Sequence, residues 1–170
     1  MKINLLPIAL CAVVGSFLGH DLRAEPPKEP KLEFPLPSPP ATVKQRVGVT
    51  DVEIEYSRPG VKDRKIFGGL VPFGEVWRTG ANSATKIVFG TDVNFGGSQV
   101  PAGTYALFTI PESGEWTVIL NKAEGQWGAY AYDAKNDLVR VKVKPVALTE
   151  SVESMTISLS DLRDDAATLN

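Results

Sequence analysis

From Ala41 onward, hydrophobic and polar side chains alternate with a period of two. Val52, Ile54 and Tyr56 alternate with Asp51, Glu53 and Glu55; Val139, Val141 and Val143 alternate with Arg140, Lys142 and Lys144; Met155, Ile157 and Leu159 alternate with Thr156, Ser158 and Ser160. A chain with this period turns successive side chains to opposite sides, so each segment is predicted to be a strand with one face on a core and one in water. Further strands are predicted at 42–47, 85–93, 103–110, 115–121 and 127–132. Gly96-Gly97-Ser98-Gln99 and Glu112-Ser113-Gly114 supply hairpin turns. No window carries an amphipathic helix of useful length. The expected fold is therefore all-β: an antiparallel β-sandwich or barrel-like domain of about eight strands. The closing segment Ala167-Thr168-Leu169-Asn170 alternates like a strand just begun, and a sheet ending there would expose an unpaired edge.

The N-terminus departs from this pattern. Lys2 precedes an apolar run from Ile3 to Leu18 interrupted only by Asn4, Pro7, Gly15 and Ser16, and the charged stretch His20–Arg23 ends at Ala24. A short apolar core with a small residue at the cleavage point predicts a secretory signal peptide over 1–24, not a membrane span. The competing readings are a lipid-bearing Cys11, disfavoured by the bulky Leu10 before it, and an uncleaved anchor. Residues 25–40 hold seven of the thirteen prolines. Such a run favours extended polyproline II, so it is read as a linker or stalk rather than a proline-rich ligand. The folded domain is expected over 41–170, in the periplasm or secreted, with no membrane span after cleavage.

Composition narrows the chemistry. Hydrophobic residues make up 43% of the chain and charged ones 22%, which suits a globular protein with a core. The net charge of −2 becomes −3 once Lys2, Asp21 and Arg23 leave with the leader, so no nucleic-acid partner is expected. The single histidine, His20, and single cysteine, Cys11, both lie in the leader. A mature chain without them has no Ser-His-Asp triad, Cys-His pair, disulfide or His/Cys zinc site. No cofactor and no metal site is expected.

One segment is not strand-like: Ser57–Asn82, SRPGVKDRKIFGGLVPFGEVWRTGAN. Its 26 residues include five glycines, two prolines, five basic residues and two acidic ones. Connections of this length are often binding or lid segments. Phe67, Leu70, Val71, Phe73 and Trp77 are expected to tuck it onto the domain, through a short helical turn. Arg58, Lys62, Arg64, Lys65 and Arg78 then present positive charge, and guanidinium forks suit carboxylate or phosphate groups. The candidate ligand-binding residues are Arg58, Lys62, Arg64, Glu75, Trp77, Arg78 and Asn82. A competing reading pairs the arginines with Glu53 and Glu55, and Glu75 with Arg78. Trp77, Trp116 and Trp127 are expected in the core rather than as a sugar-stacking platform.

The same residues carry a resemblance. Tyr56–Lys62, Arg64–Asn82, Pro101–Pro111, Trp116–Lys122 and Gln126–Asp133 resemble an exported bacterial family catalogued as domain of unknown function 2911, over about Ser38 to Asn170. The resemblance implies a secreted or periplasmic β-rich domain and carries no activity over. Members tend to continue past the equivalent of Asn170 with a further strand, which implies that this chain lacks its last strand.

Other motifs have simpler explanations. Asp92-Val-Asn94-Phe-Gly96-Gly97 fails as a calcium loop, having glycine at its fifth position and Gly103 at the twelfth. Asp161, Asp164 and Asp165 read as a solvated turn. Tyr105 resembles a corner tyrosine that caps a neighbouring loop. Three functions stay open. One is a domain binding a small polar or anionic ligand, or an envelope partner, through the 57–82 loop. The others are a hydrolase or isomerase using Glu75 and Arg78, with Tyr56 or a lysine, and a purely structural envelope component.

Overall fold

The computed structural model describes residues 34–170. The predicted signal peptide, the linker as far as Glu33, and with them Cys11 and His20, lie outside the described residues.

Ten strands follow in chain order: β1 (Pro40–Val47), β2 (Thr50–Ser57), β3 (Thr85–Phe89), β4 (Val93–Phe95), β5 (Ser98–Val100), β6 (Gly103–Ile110), β7 (Trp116–Asn121), β8 (Asp137–Val143), β9 (Leu159–Ser160) and β10 (Thr168–Leu169). One 3₁₀ turn, Ala134–Asn136, precedes β8. No described helix is long and apolar enough to cross a membrane. Six strands form one antiparallel sheet in the order β1-β2-β3-β6-β7-β8, while β4–β5 and β9–β10 form two-stranded ribbons. The expected all-β antiparallel class is what the chain adopts. The large sheet does not close into a barrel, and the layer opposite it is short ribbons and irregular chain rather than a second broad sheet.

The period-two pattern places the core. Ile54 of β2 sits opposite Val43 of β1 and Ile87 of β3, which in turn faces Tyr105 of β6. Val52, Ile54, Tyr56, Ile87, Phe89, Leu107 and Leu120 share one face, covered by Val100 and Phe95 from the first ribbon and by Ile157, Leu159 and Leu169 from the C-terminal region. On the other face of β1–β3 the registered pairs Lys44–Glu53 and Glu55–Lys86 form ion pairs of 3.0 and 2.9 Å. Exposed pairs of this kind contribute at most about 1 kcal/mol each. They also settle the partners of Glu53 and Glu55: those carboxylates take strand lysines, not the loop arginines.

β6 and β7 behave differently because their second face is covered too. Ala106, Phe108 and Ile119 form a second cluster beneath Val76 of the long loop and Ala129 and Tyr132 of the β7–β8 connection. The run Tyr105–Phe108 is accordingly apolar without alternation, as expected for a strand buried on both faces.

Several predicted elements end sooner or vanish. The strand expected over 85–93 stops at Phe89, where the Gly90 amide donates to the Asp51 carbonyl and the chain turns away. Residues 127–132 form turns: Gly125 and Gly128 hold φ of +73° and +69°, conformations that break a ladder. The 155–159 alternation buries Ile157 on the core, yet only Leu159–Ser160 reach a partner strand. Backbone groups of Ile157 are satisfied by Tyr56 instead. The hydroxyl accepts from the Ile157 amide at 3.0 Å and donates to its carbonyl at 3.4 Å. The final alternating residues do form a strand, β10, paired antiparallel to β9.

The glycine pair of the β4–β5 hairpin has φ of +57° and +92°, and Asn94 Oδ1 accepts from the Gly97 amide at 2.8 Å. Asp92 Oδ1 accepts from the Ala102 amide at 2.8 Å, so this segment's polar groups serve a hairpin. Tyr105 donates its hydroxyl to the Pro101 carbonyl at 2.8 Å, tying β6 to the turn before it.

Candidate functional site

The 57–82 segment leaves β2 and is held at once by chain nearly a hundred residues away. The Val61 amide donates to the Glu153 carbonyl at 2.8 Å and the Met155 amide to the Pro59 carbonyl at 3.0 Å, an antiparallel pairing centred on Gly60 and Ser154. Arg58 completes the seam, its Nε donating to the Met155 carbonyl at 2.8 Å and its Nη2 to Thr156 Oγ1 at 2.7 Å. Lys62 and Asp63 then take left-handed φ of +48° and +55°, reversing the chain. Arg64 folds back over this reversal, donating from Nε to the Val61 carbonyl (3.0 Å) and from Nη2 to the Gly60 carbonyl (2.7 Å).

The loop's second half is anchored on the sheet. The Gly68 backbone lies under the Phe73 ring so closely that an added Cβ would sit 2.6 Å from it. Trp77 exchanges both backbone hydrogen bonds with Thr109 of β6, at 2.8 and 2.9 Å, occupying the position beyond the end of β3. The indole Nε1 donates to the Gly80 carbonyl at 3.1 Å. Thr79 is buried with a left-handed φ of +54°, unusual for a β-branched residue. Its hydroxyl shares a hydrogen bond with Thr109 Oγ1 at 3.1 Å, and its carbonyl accepts from Thr85 Oγ1 at 2.7 Å. Backbone strain of this kind costs about 1–3 kcal/mol and persists where surrounding contacts over-determine it. Here the contacts are the Thr79 hydrogen bonds to Thr109 and Thr85, one residue after Arg78.

These constraints leave a cavity of about 740 Å³ between the loop and residues 148–156. Arg64, Trp77, Arg78 and Asn82 of the sequence-predicted set border it, and Arg58, Lys62 and Glu75 do not. Arg58 instead supports the wall through Met155 and Thr156. Lys62 turns at the outer reversal, its amide accepted by Glu153 Oε1 at 3.0 Å. Glu75 is exposed and forms no ion pair with Arg78 among the described residues, so the expected Glu75–Arg78 pair is absent there. Asn82 has a φ of +60°, and its Nδ2 donates to Ser57 Oγ at 3.2 Å.

Two guanidinium groups and no carboxylate border the cavity. Arg78 Nε is buried and has no hydrogen-bond partner among the described residues. The other orphaned side-chain atom among the described residues, Gln126 Oε1, lies elsewhere. A buried donor without an acceptor costs about 1–3 kcal/mol, and Arg78, which borders the cavity, carries one.

The tryptophans part company with the core expectation. Trp77 and Trp116 are half-buried around Phe67, whose ring meets theirs edge-on at 5.8 and 4.6 Å. Trp127 is 66% exposed, because the turn at 125–128 swings it off the sheet. Phe67, Leu70 and Phe73 also keep much of their surface exposed, and the segment contains turns but no helix; Val71 is its buried apolar anchor.

Sequence reasoning missed the opposing wall. Leu148, Val152, Ser154, Met155 and Thr156 border the cavity, and nothing near them marks a site. It also missed a polar cluster at the β7–β8 irregularity. Buried Asn121 donates to Asp137 Oδ1 at 2.8 Å and to the Asp133 carbonyl at 3.1 Å. Asp137 Oδ2 accepts from both the Tyr132 hydroxyl and Arg140 Nε at 2.7 Å, and Arg140 Nη2 donates to the Tyr132 oxygen at 2.8 Å.

Burial, followed by the hydrogen bond and charge of Asp137, pushes the Tyr132 hydroxyl up from 10.0 to about 12; Arg140 opposes this only in part. The folded protein therefore keeps a proton that the unfolded chain releases. Stability from this group is complete below pH 10 and is lost as pH rises toward 12. Denaturant unfolding across that window should show a steeper fall for the wild type than for Tyr132→Phe.

Among the described residues no group of three or more His, Cys, Asp or Glu side chains gathers as a metal site. Comparison with curated proteins gives no match, and neither does comparison with solved structures. A family model described as protein of unknown function DUF2911 matches residues 38–170, which takes in the whole sheet and both walls of the cavity. The chain therefore belongs to the DUF2911 family.

Proposed function

We propose that this domain is a ligand-binding module, exported to the periplasm or beyond, that takes a small anionic or polar molecule between the 57–82 loop and residues 148–156. The leader-like N-terminus motivates the location. The observation that carries the binding reading is Arg78, whose buried Nε lacks a partner among the described residues at the edge of a cavity of about 740 Å³ bordered by no described carboxylate. A volume of this order suits small-molecule sites, which span about 300–1,000 Å³. Arg78 supplies the charge, Trp77 a flat wall, and Asn82 a polar contact at the rim. Arg64 adds positive potential, although its Nε and one Nη already serve the loop backbone.

Glu75 lies outside this cavity, so a hydrolase or isomerase built on a Glu75–Arg78 couple has no support from the geometry.

The test is a thermal-shift panel of benzoate, citrate, inorganic phosphate and neutral sugars against wild type, Arg78→Gln and Lys62→Gln. An anion present at about a hundred times its Kd stabilises by about 2.7 kcal/mol, a shift of several degrees. Arg78→Gln should abolish that shift and Lys62→Gln should retain it. A shift that survives Arg78→Gln places the ligand elsewhere.

A further inference from the structure

We infer that the ligand is an amphipathic monocarboxylate, a molecule with one acidic head and an extended apolar body. This deepens the anion-binding reading and rests on it.

The donors left free limit the head group. Of the two bordering guanidiniums, Arg64 spends Nε and Nη2 on the Val61 and Gly60 carbonyls, at 3.0 and 2.7 Å. Arg78 makes no side-chain hydrogen bond or ion pair to any described residue, and its Nε is buried. One uncommitted, planar, singly charged fork matches one carboxylate. A dianionic phosphate would have to share Arg64, whose Nε and Nη2 are already committed to backbone carbonyls.

The apolar body is inferred from the rim. Leu70, Leu148 and Val152 are 58%, 71% and 52% exposed, and all three border the same opening. They come from the two opposing walls, one from the loop and two from the 148–156 segment. Single exposed aliphatic residues need no explanation, but a ring of them around one cavity is the pattern of an apolar ligand site. Trp77 and Phe67 meet edge to face at 5.8 Å and continue the apolar wall. A small, fully hydrated anion would satisfy Arg78 and leave these surfaces in water. A carboxylate with a hydrocarbon body satisfies both.

The experiment is a calorimetric titration of the protein with acetate, hexanoate, octanoate, decanoate, decanol and decyl phosphate, all below their micelle concentrations. Each added CH₂ should tighten binding by about threefold to fourfold. Decanoate should bind at least about tenfold tighter than decanol, as a charge-assisted pair in a shielded site requires. Arg78→Gln should bring decanoate to the level of decanol, and Leu148→Ser/Val152→Ser, an exposed pair whose replacement leaves the core intact, should flatten the chain-length series.

Acetate and decanoate binding equally, with dependence on Arg78 retained, would overturn the amphipathic inference and leave the anion site standing. Equal affinity for decanol and decanoate would overturn the acidic head, and a preference for decyl phosphate would replace carboxylate with phosphate. Absence of Arg78-dependence for every anion would sink the anion-site reading itself.

Discussion

Phe108→Ala should destabilise the protein by about 3–5 kcal/mol and lower its Tm on the order of 10 °C. Phe108 has no solvent exposure, lies opposite Ile119 across the β6–β7 ladder, and meets the Tyr132 ring edge-on at 5.1 Å. Its position matters as much as its size. Phe108 belongs to the small cluster that covers the second face of the sheet, with Ala106 and Ile119 as its other fully buried members. A void there cannot be filled by sliding a large neighbouring core inward. Val76, packed on the same cluster, sits one residue before Trp77, so the loop that forms the cavity rests partly on this ring. Equilibrium denaturation of Phe108→Ala beside Phe34→Ala, whose ring is 76% exposed, provides the comparison. The Phe34 variant should stay within about 0.5 kcal/mol of wild type. Similar losses for both would mean that the second face is not a packed core.

Tyr56→Phe is expected to cost about 1–3 kcal/mol although it removes a single oxygen. The hydroxyl is the only hydrogen-bond partner seen for the Ile157 amide among the described residues, at 3.0 Å. Phenylalanine would keep the ring in place and leave that buried N–H without an acceptor. The consequence extends to the cavity, because Ile157 follows the wall residues Met155 and Thr156 directly. With the Arg58 clamp and the Pro59–Met155 seam left on this wall, hydrogen exchange at 155–158 should accelerate in Tyr56→Phe while the β6 and β7 amides stay protected. Exchange unchanged at 155–158 would show that the seam with Pro59 and Val61 holds the wall unaided.

The strands were legible because their period is geometric. Side chains on a pleated chain alternate sides, so Val52, Ile54 and Tyr56 announce a buried face whatever the partner strand is. The 155–159 segment shows where that inference stops. Its alternation identifies Ile157 as an inward residue, but alternation does not state who satisfies the backbone, and a tyrosine hydroxyl does so instead of a neighbouring strand. The predicted strand at 127–132 failed for a local reason, since two positive-φ glycines turn the chain before a ladder can form.

The loop was equally visible, by its length and its glycine and arginine content, yet its arginines could not be sorted from one another. Arg58, Arg64 and Arg78 are chemically identical in a sequence. Arg58 meets Met155 and Thr156, Arg64 meets the carbonyls of its own turn, and Arg78 meets no side-chain partner among the described residues. Those assignments depend on chain about a hundred residues away or on the left-handed turns at Lys62, Asp63 and Thr79.

By itself, then, the sequence determined the all-β class, the inward face of the alternating segments such as Val52–Tyr56, and the one segment too long and too basic to be a plain connection. These follow from local stereochemistry and composition. The tertiary structure alone decided which of the loop's guanidiniums finds no partner among the described residues, where residues 148–156 stand against the loop, and that an apolar-rimmed cavity lies between them. The reason is physical: a hydrogen-bond partner and a cavity wall are properties of segments brought together in space, and neither segment carries them alone.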